Sequence, residues 1–238
     1  MTGRRATPTV TAGRVARVAA AALVVLAGLG GCAADPGSAG RRPGAAGVAA
    51  PTTTSTTSVG AEIAPGVRRL VIAPAHPDGY DRALFSDWTD PDGDCQDTRA
   101  EILIASSALP VTFTSSTSCT VATGSWTDPW SGAVVTSARS LDIDHTVPLA
   151  NAWRSGAWSW TPEARAAYAV DAADPGHLLA IPLGENRSKG DDGPESWRPP
   201  DRGSWCRYVQ IWTGVKAKWS LTATPEEWAA IEEMAATC

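Results

Sequence analysis

Apolar residues recur along this chain with two different spacings, and the change from one to the other marks out its elements. Trp205, Tyr208, Ile211, Trp212, Val215 and Trp219 fall three and four residues apart, which lines them up on one stripe of a helix. Thr224-Pro225-Glu226-Glu227 supplies the start of a last helix through Trp228, Ile231 and Met234. Thr161-Pro162-Glu163 starts another, with proline at its first position. Thr98-Arg99-Ala100-Glu101, followed by Ile102, Leu103 and Ile104, reads as a capping box opening a helix to about Leu109. Shorter runs lie between: Val111–Thr114, Thr120–Ala122, Ala133–Thr136 and Leu141–Asp144 read as strands. In the last, a period of two puts Leu141 and Ile143 on one face and Asp142 and Asp144 on the other. Leu178–Leu183 is an apolar run of strand length, Glu185–Lys189 begins a short helix, and Val67–Ile72 suits an edge strand. The pattern predicts an α+β fold with a small β-element among helices.

The aromatic residues locate the core. Of 238 residues, 11 Trp, three Tyr and two Phe all lie at or after Tyr80, so one aromatic core is expected there. The earlier part has a different character. Arg4, Arg5, Arg14 and Arg17 precede the apolar run Val18–Leu29, too short for a comfortable membrane span but suited to a secretory signal. The run ends in Leu29-Gly30-Gly31-Cys32, which resembles the lipobox of bacterial lipoproteins and implies lipid on Cys32. Three segments are therefore expected: 1–32 as signal peptide with lipobox, 33–66 as a disordered Ala/Gly/Pro/Thr/Ser tether, and 67–238 as the folded domain. The chain is expected to be exported, either held to the outer face of the membrane by lipid or secreted.

Export changes how the cysteines read. Beyond Cys32 there are four, Cys95, Cys119, Cys206 and Cys238, an even number in an oxidising compartment, so two disulfides are expected. Of the three connectivities, Cys95 with Cys119 and Cys206 with Cys238 is preferred, because each pair brackets a compact stretch. No Cys-x-x-Cys is present to suggest zinc. Four of the 20 basic residues and none of the 25 acidic ones precede Cys32, which leaves the rest of the chain at −9. That is a poor footprint for a sequence-specific DNA binder, although Arg187–Lys218 holds seven basic against four acidic residues.

Candidate chemistry centres on two of the three histidines. Asp144-His145 at the end of a strand sets a carboxylate beside a base whose ordinary pKa of about 6.5 suits proton transfer. The second, His177, opens the next strand, which runs into a helix start carrying Asn186 and Lys189. Asp144-His145-x-Val147-Pro148, then an apolar strand, then Asn186-x-x-Lys189-Gly190-Asp191, resembles the HNH endonucleases of the His-Me finger (ββα-metal) superfamily. Within them the similarity is to secreted proteins related to the nuclease domain of GmrSD-type restriction systems, and it covers about Trp88 to Trp219, including Cys95–Arg99, Gly124–Trp126 and Asn186–Trp197.

The resemblance implies a ββα-metal core, His145 as general base, and Asp144 with Asn186 as ligands of one Mg²⁺ or Mn²⁺. It further implies hydrolysis of phosphodiesters in nucleic acid, with DNA the first candidate, and Lys189 reaching the same phosphate. Asp142 and Arg99 are expected in support, Asp142 orienting neighbouring groups and Arg99 meeting either a phosphate or the carboxylates of Asp97 and Glu101. One position departs from the pattern. His177 stands nine residues before Asn186, where the family usually has asparagine; it either donates to a backbone carbonyl, adds a metal ligand, or weakens the enzyme. The competing reading, motivated by His177 and the net acidity, is a non-catalytic envelope lipoprotein that uses the fold for binding. Asp90, Asp92 and Asp94 imitate a calcium loop, but Cys95 stands where the turn wants glycine. Trp153, Trp158 and Trp160 suit either core packing or stacking on bases.

Overall fold

The computed structural model describes residues 61–238, an α+β domain with two disulfides. The signal segment, Cys32 and most of the expected tether lie outside the described residues. Strand β1 (Glu62–Ala64) pairs antiparallel with β2 (Val67–Arg68) across Gly66, whose φ of +73° a side chain would strain. Folded structure thus begins before residue 67, inside the stretch expected as tether. The expected edge strand is also shorter than Val67–Ile72: after Arg68, the Arg69 N–H still donates to the Ala61 carbonyl and Ile72 makes a single bridge to Ala223.

Helix α1 (Thr98–Ser106) starts one residue earlier in logic than a capping box on Thr98 requires. Asp97 is the cap, accepting from the Ala100 N–H, while the Thr98 hydroxyl donates to the Thr89 carbonyl. Strands β3 (Thr112–Phe113), β4 (Val121–Thr127) and β5 (Val134–Ser137) form a three-stranded antiparallel sheet in that order. Gly124 is needed in β4, because an added Cβ would come within 2.6 Å of the Trp126 ring. A separate antiparallel pair joins β6 (Leu141–His145) to a later strand. Between its two strands run α2 (Leu149–Arg154) and α3 (Pro162–Ala169), the latter capped by Thr161 with Pro162 at its first position, as expected. The partner strand β7 (Leu178–Pro182) sets His145 opposite Leu178 and Asp144 opposite Leu179, and α4 (Leu183–Lys189) follows it without a loop. Helices α5 (Trp205–Lys218) and α6 (Pro225–Ala235) complete the chain.

Two apolar clusters lie under these elements. The larger joins Tyr168, Tyr208, Trp212, Trp228 and Ile231 with Val147 and Ile181, and the smaller packs Leu103 and Trp126 against Leu141, Ile143 and Leu178. The β6–β7 pair contributes to both, which fixes it between them. In these clusters Trp126 Nε1 donates to the Leu103 carbonyl and Trp212 Nε1 to Glu227 Oε1, whereas the buried Trp130 Nε1 has no partner among the described residues. Both disulfides have the expected partners, Cys95–Cys119 and Cys206–Cys238, and the second ties the C-terminus to the start of α5.

Candidate functional site

The end of β6 and the face of α4 meet at one cleft of about 260 Å³, bordered by Tyr80, Arg82, Asp144, His145, Asn186 and Asp191. Strand alternation points Asp142 and Asp144 to the side on which α4 packs, and the helical spacing of Asn186 and Lys189 brings both onto those two carboxylates. Asn186 Nδ2 donates to Asp142 Oδ2 at 3.0 Å, and Lys189 Nζ donates to Asp144 Oδ1 at 2.8 Å. Asp142 therefore orients Asn186, as expected.

Asp144 is buried, and burial pushes its carboxyl above the ordinary 3.8 while the adjacent Lys189 ammonium pulls the other way. Its second oxygen, Oδ2, is shielded from solvent and has no hydrogen-bond partner. Asn186, with its amide nitrogen turned to Asp142, keeps its side-chain oxygen for another partner. These two oxygens are the groups at the cleft that could hold a hard divalent cation.

His145 is held on several sides. Its Nε2 lies 2.9 Å from the Ala169 carbonyl oxygen, so Nε2 carries the proton and Nδ1 the lone pair. Its ring lies parallel to Trp88, with centroids 5.4 Å apart, and the edge of His177 comes within 5.7 Å. Burial first, and the neighbouring His177 second, lower the His145 pKa to about 3. The imidazole is neutral near pH 7 and already in one tautomer.

His177 repeats the arrangement one residue back. Its Nε2 donates to the Tyr168 carbonyl at 2.7 Å, so consecutive carbonyls at the end of α3 hold both histidines. His177 is 0% exposed and its backbone carbonyl accepts from the Thr146 N–H. Of the three roles expected for it, the geometry matches the carbonyl donor.

Two expectations are corrected. Lys189 does not face a substrate: it is 0% exposed, and its ammonium also donates to the His145 carbonyl at 2.9 Å. It fixes β6 to α4 because a buried ammonium needs several acceptors and finds them on the strand. Arg99 makes no ion pair with Asp97 or Glu101; its Nη2 donates to the carbonyls of Ala138 and Leu141, bracing the start of β6. In the Asp90 loop both Asp90 oxygens accept from the N–H groups of Gly93 and Cys95, and Asp94 Oδ1 accepts from the Gln96 N–H. Tyr80 and Arg82, at the cleft rim, were not singled out from the sequence. They sit in an irregular stretch with no periodicity to mark them.

The fold and the site together define a disulfide-bonded α+β domain with a histidine, a carboxylate and an amide at one cleft. No family model and no solved structure matches the chain. A protein of Arthroderma benhamiae described as an uncharacterized secreted protein is 42% identical over 170 residues, which are 71% of this chain and 81% of that protein. The chain belongs to the family of that protein.

Proposed function

We propose that the chain is an exported, metal-dependent endonuclease of the HNH type, with β6, β7 and α4 as its ββα-metal core. The observation that carries this reading is Asp144 Oδ2, a buried carboxylate oxygen without a partner, next in sequence to the neutral His145 on the same cleft. Asp144 Oδ2 and the Asn186 side-chain oxygen form a donor set that suits Mg²⁺ or Mn²⁺. Bound there, the cation would supply Lewis-acid stabilisation of charge on the phosphoryl group and the leaving oxygen.

The remaining chemistry belongs to this chain's residues. His145 Nδ1 takes a proton from water while Nε2–H stays on the Ala169 carbonyl, which steadies the imidazolium that forms. The hydroxide oxygen bonds to phosphorus in line, and the opposite P–O bond breaks with its electron pair leaving on oxygen. Lys189 and Asp142 hold the two ligand residues in place.

Export is supported by the secreted description of the Arthroderma benhamiae relative and by two disulfides, which persist in oxidising compartments. Lipid on Cys32 is part of the proposal. The binding-only alternative loses one of its motives, since His177 is buried and engaged with a carbonyl. The test is incubation of the full chain with plasmid DNA and Mg²⁺ or Mn²⁺. Nicking that stops in EDTA and in His145→Ala is expected; no cleavage, or equal cleavage by His145→Ala, overturns the reading.

A further inference from the structure

Of the three tryptophans that suited either packing or stacking, Trp153 is buried and Trp160 packs against the main core, but Trp158 is 48% exposed. It stands on a 3-10 turn, Ala157–Ser159, with His76 stacked on it at 4.6 Å between centroids and 20° between planes. Beside it lies a hollow of about 470 Å³, bordered by Pro74, Arg154, Trp158, Ser159, Trp160 and Thr222. That volume falls in the range of roughly 300 to 1,000 Å³ usual for small-molecule sites.

Two features link the lining of the hollow to that of the cleft. Arg154 borders the hollow, and its guanidinium donates through Nη1 to Asp191 Oδ2 at 2.8 Å and through Nη2 to the Asp191 carbonyl at 2.7 Å; Asp191 borders the cleft. The segment from Pro74 to Arg82 runs along both, with Pro74 at the hollow and Tyr80 and Arg82 at the cleft. The segment is pinned: the His76 N–H donates to the Arg154 carbonyl, and Trp153 Nε1 donates to the Asp78 carbonyl. Trp158 is thus an exposed aromatic platform fixed before any ligand arrives. An exposed indole beside the hydroxyls of Ser159 and Thr222 recognises a flat, heteroatom-bearing ring.

We infer that the hollow beside Trp158 is a nucleobase subsite, which stacks a base of the same nucleic-acid strand whose phosphate occupies the cleft. The inference rests on the nuclease reading and adds to it a preference for single-stranded or locally unpaired substrate, since a base inside a duplex cannot reach an indole face.

The test is the affinity of the full chain for a fluorescein-labelled oligothymidylate, measured by anisotropy in EDTA, for wild type, Trp158→Ala and Trp158→Phe. Loss of one base stack weakens binding by roughly 5- to 100-fold, so Trp158→Ala is expected to fall in that range and Trp158→Phe to keep most of the affinity. Because Trp158 lies at the surface, an unchanged urea midpoint shows that the variants are folded. Oligonucleotide that binds wild type and Trp158→Ala alike, or that binds neither, overturns the subsite. Plasmid cleavage by the same wild-type preparation with Mn²⁺ then shows that the nuclease reading survives, and its absence shows that both fall.

Discussion

Lys189 Nζ lies 2.8 Å from Asp144 Oδ1, and both side chains are cut off from solvent. The ammonium satisfies one carboxylate oxygen and the His145 carbonyl, and leaves Asp144 Oδ2 alone. One contact therefore joins α4 to β6 and determines which oxygen of Asp144 remains for a cation. Breaking a buried pair from one side costs about 3–5 kcal/mol, because the remaining charge is stranded. Lys189→Met is expected to lose stability of that order, read as a lower urea midpoint at unchanged slope. Adding Asp144→Asn should restore part of the loss, since no buried charge then remains; a double variant no more stable than Lys189→Met would show that the pair is not the source.

Asp144 Oδ2 gives a separate prediction on metal binding. A ligand that binds only the folded chain stabilises it by about 2.7 kcal/mol at a hundred times its Kd. Mn²⁺ is expected to raise the unfolding temperature of the full chain in a concentration-dependent way, and Asp144→Asn, which starts from a lower unfolding temperature because Lys189 loses its counter-charge, to show little further rise with Mn²⁺. Calorimetric titration with Mn²⁺ checks the same point without heating. A rise of equal size in Asp144→Asn would place the cation elsewhere.

The Cys206–Cys238 bridge spans 32 residues and holds α6 against the start of α5. Loops of this length constrain the unfolded chain by about 3–4 kcal/mol in the chain-entropy account. Cys238→Ser is expected to lower stability by that order, with loss concentrated in α6, where Trp228, Ile231 and Met234 enter the core. Hydrogen exchange should show α6 opening ahead of β6 and β7. Uniform loss of protection would mean that the bridge supports the whole domain.

The elements were legible in the sequence where periodicity was long or capped. The stripe from Trp205 to Trp219 and the Thr161-Pro162 and Thr224-Pro225 starts all appear as helices close to their expected bounds. The meeting of Asp144, His145 and Asn186 at one cleft was expected from the resemblance to the HNH pattern; strand alternation by itself places only Asp142 with Asp144 on one side. The inward turn of Lys189 was not legible, since a lysine's usual preference is solvent and its burial depends on a carboxylate 45 positions away. Tyr80 and Arg82 were invisible for a related reason. They are brought to the cleft by contacts such as Trp153 Nε1 to the Asp78 carbonyl, across 75 positions with no pattern of their own. The start of β1 was missed because three residues cannot display a period of two convincingly.

His177 is the position where the chain departs from the HNH pattern, and its burial has a consequence in acid. Burial first lowers the His177 pKa below the ordinary 6.5, although the Tyr168 carbonyl and nearby Asp171 and Asp174 pull it back up. Above the unfolded pKa the ring is neutral in both states and the native fold bears no penalty. As the pH falls below it, the unfolded chain gains a proton that the folded chain resists, so stability drops. Glutamine, whose Nε2 lies about as far along the side chain as the imidazole Nε2, can replace the contact to the Tyr168 carbonyl and has nothing to titrate. His177→Gln is therefore expected to stay folded and to lose less stability than wild type between about pH 7 and pH 5, in urea denaturation at each pH. Some acid sensitivity should persist, because His145 is buried and neutral as well. Equal slopes in the two proteins would mean that His177 takes up its proton as readily in the folded domain as in the unfolded chain.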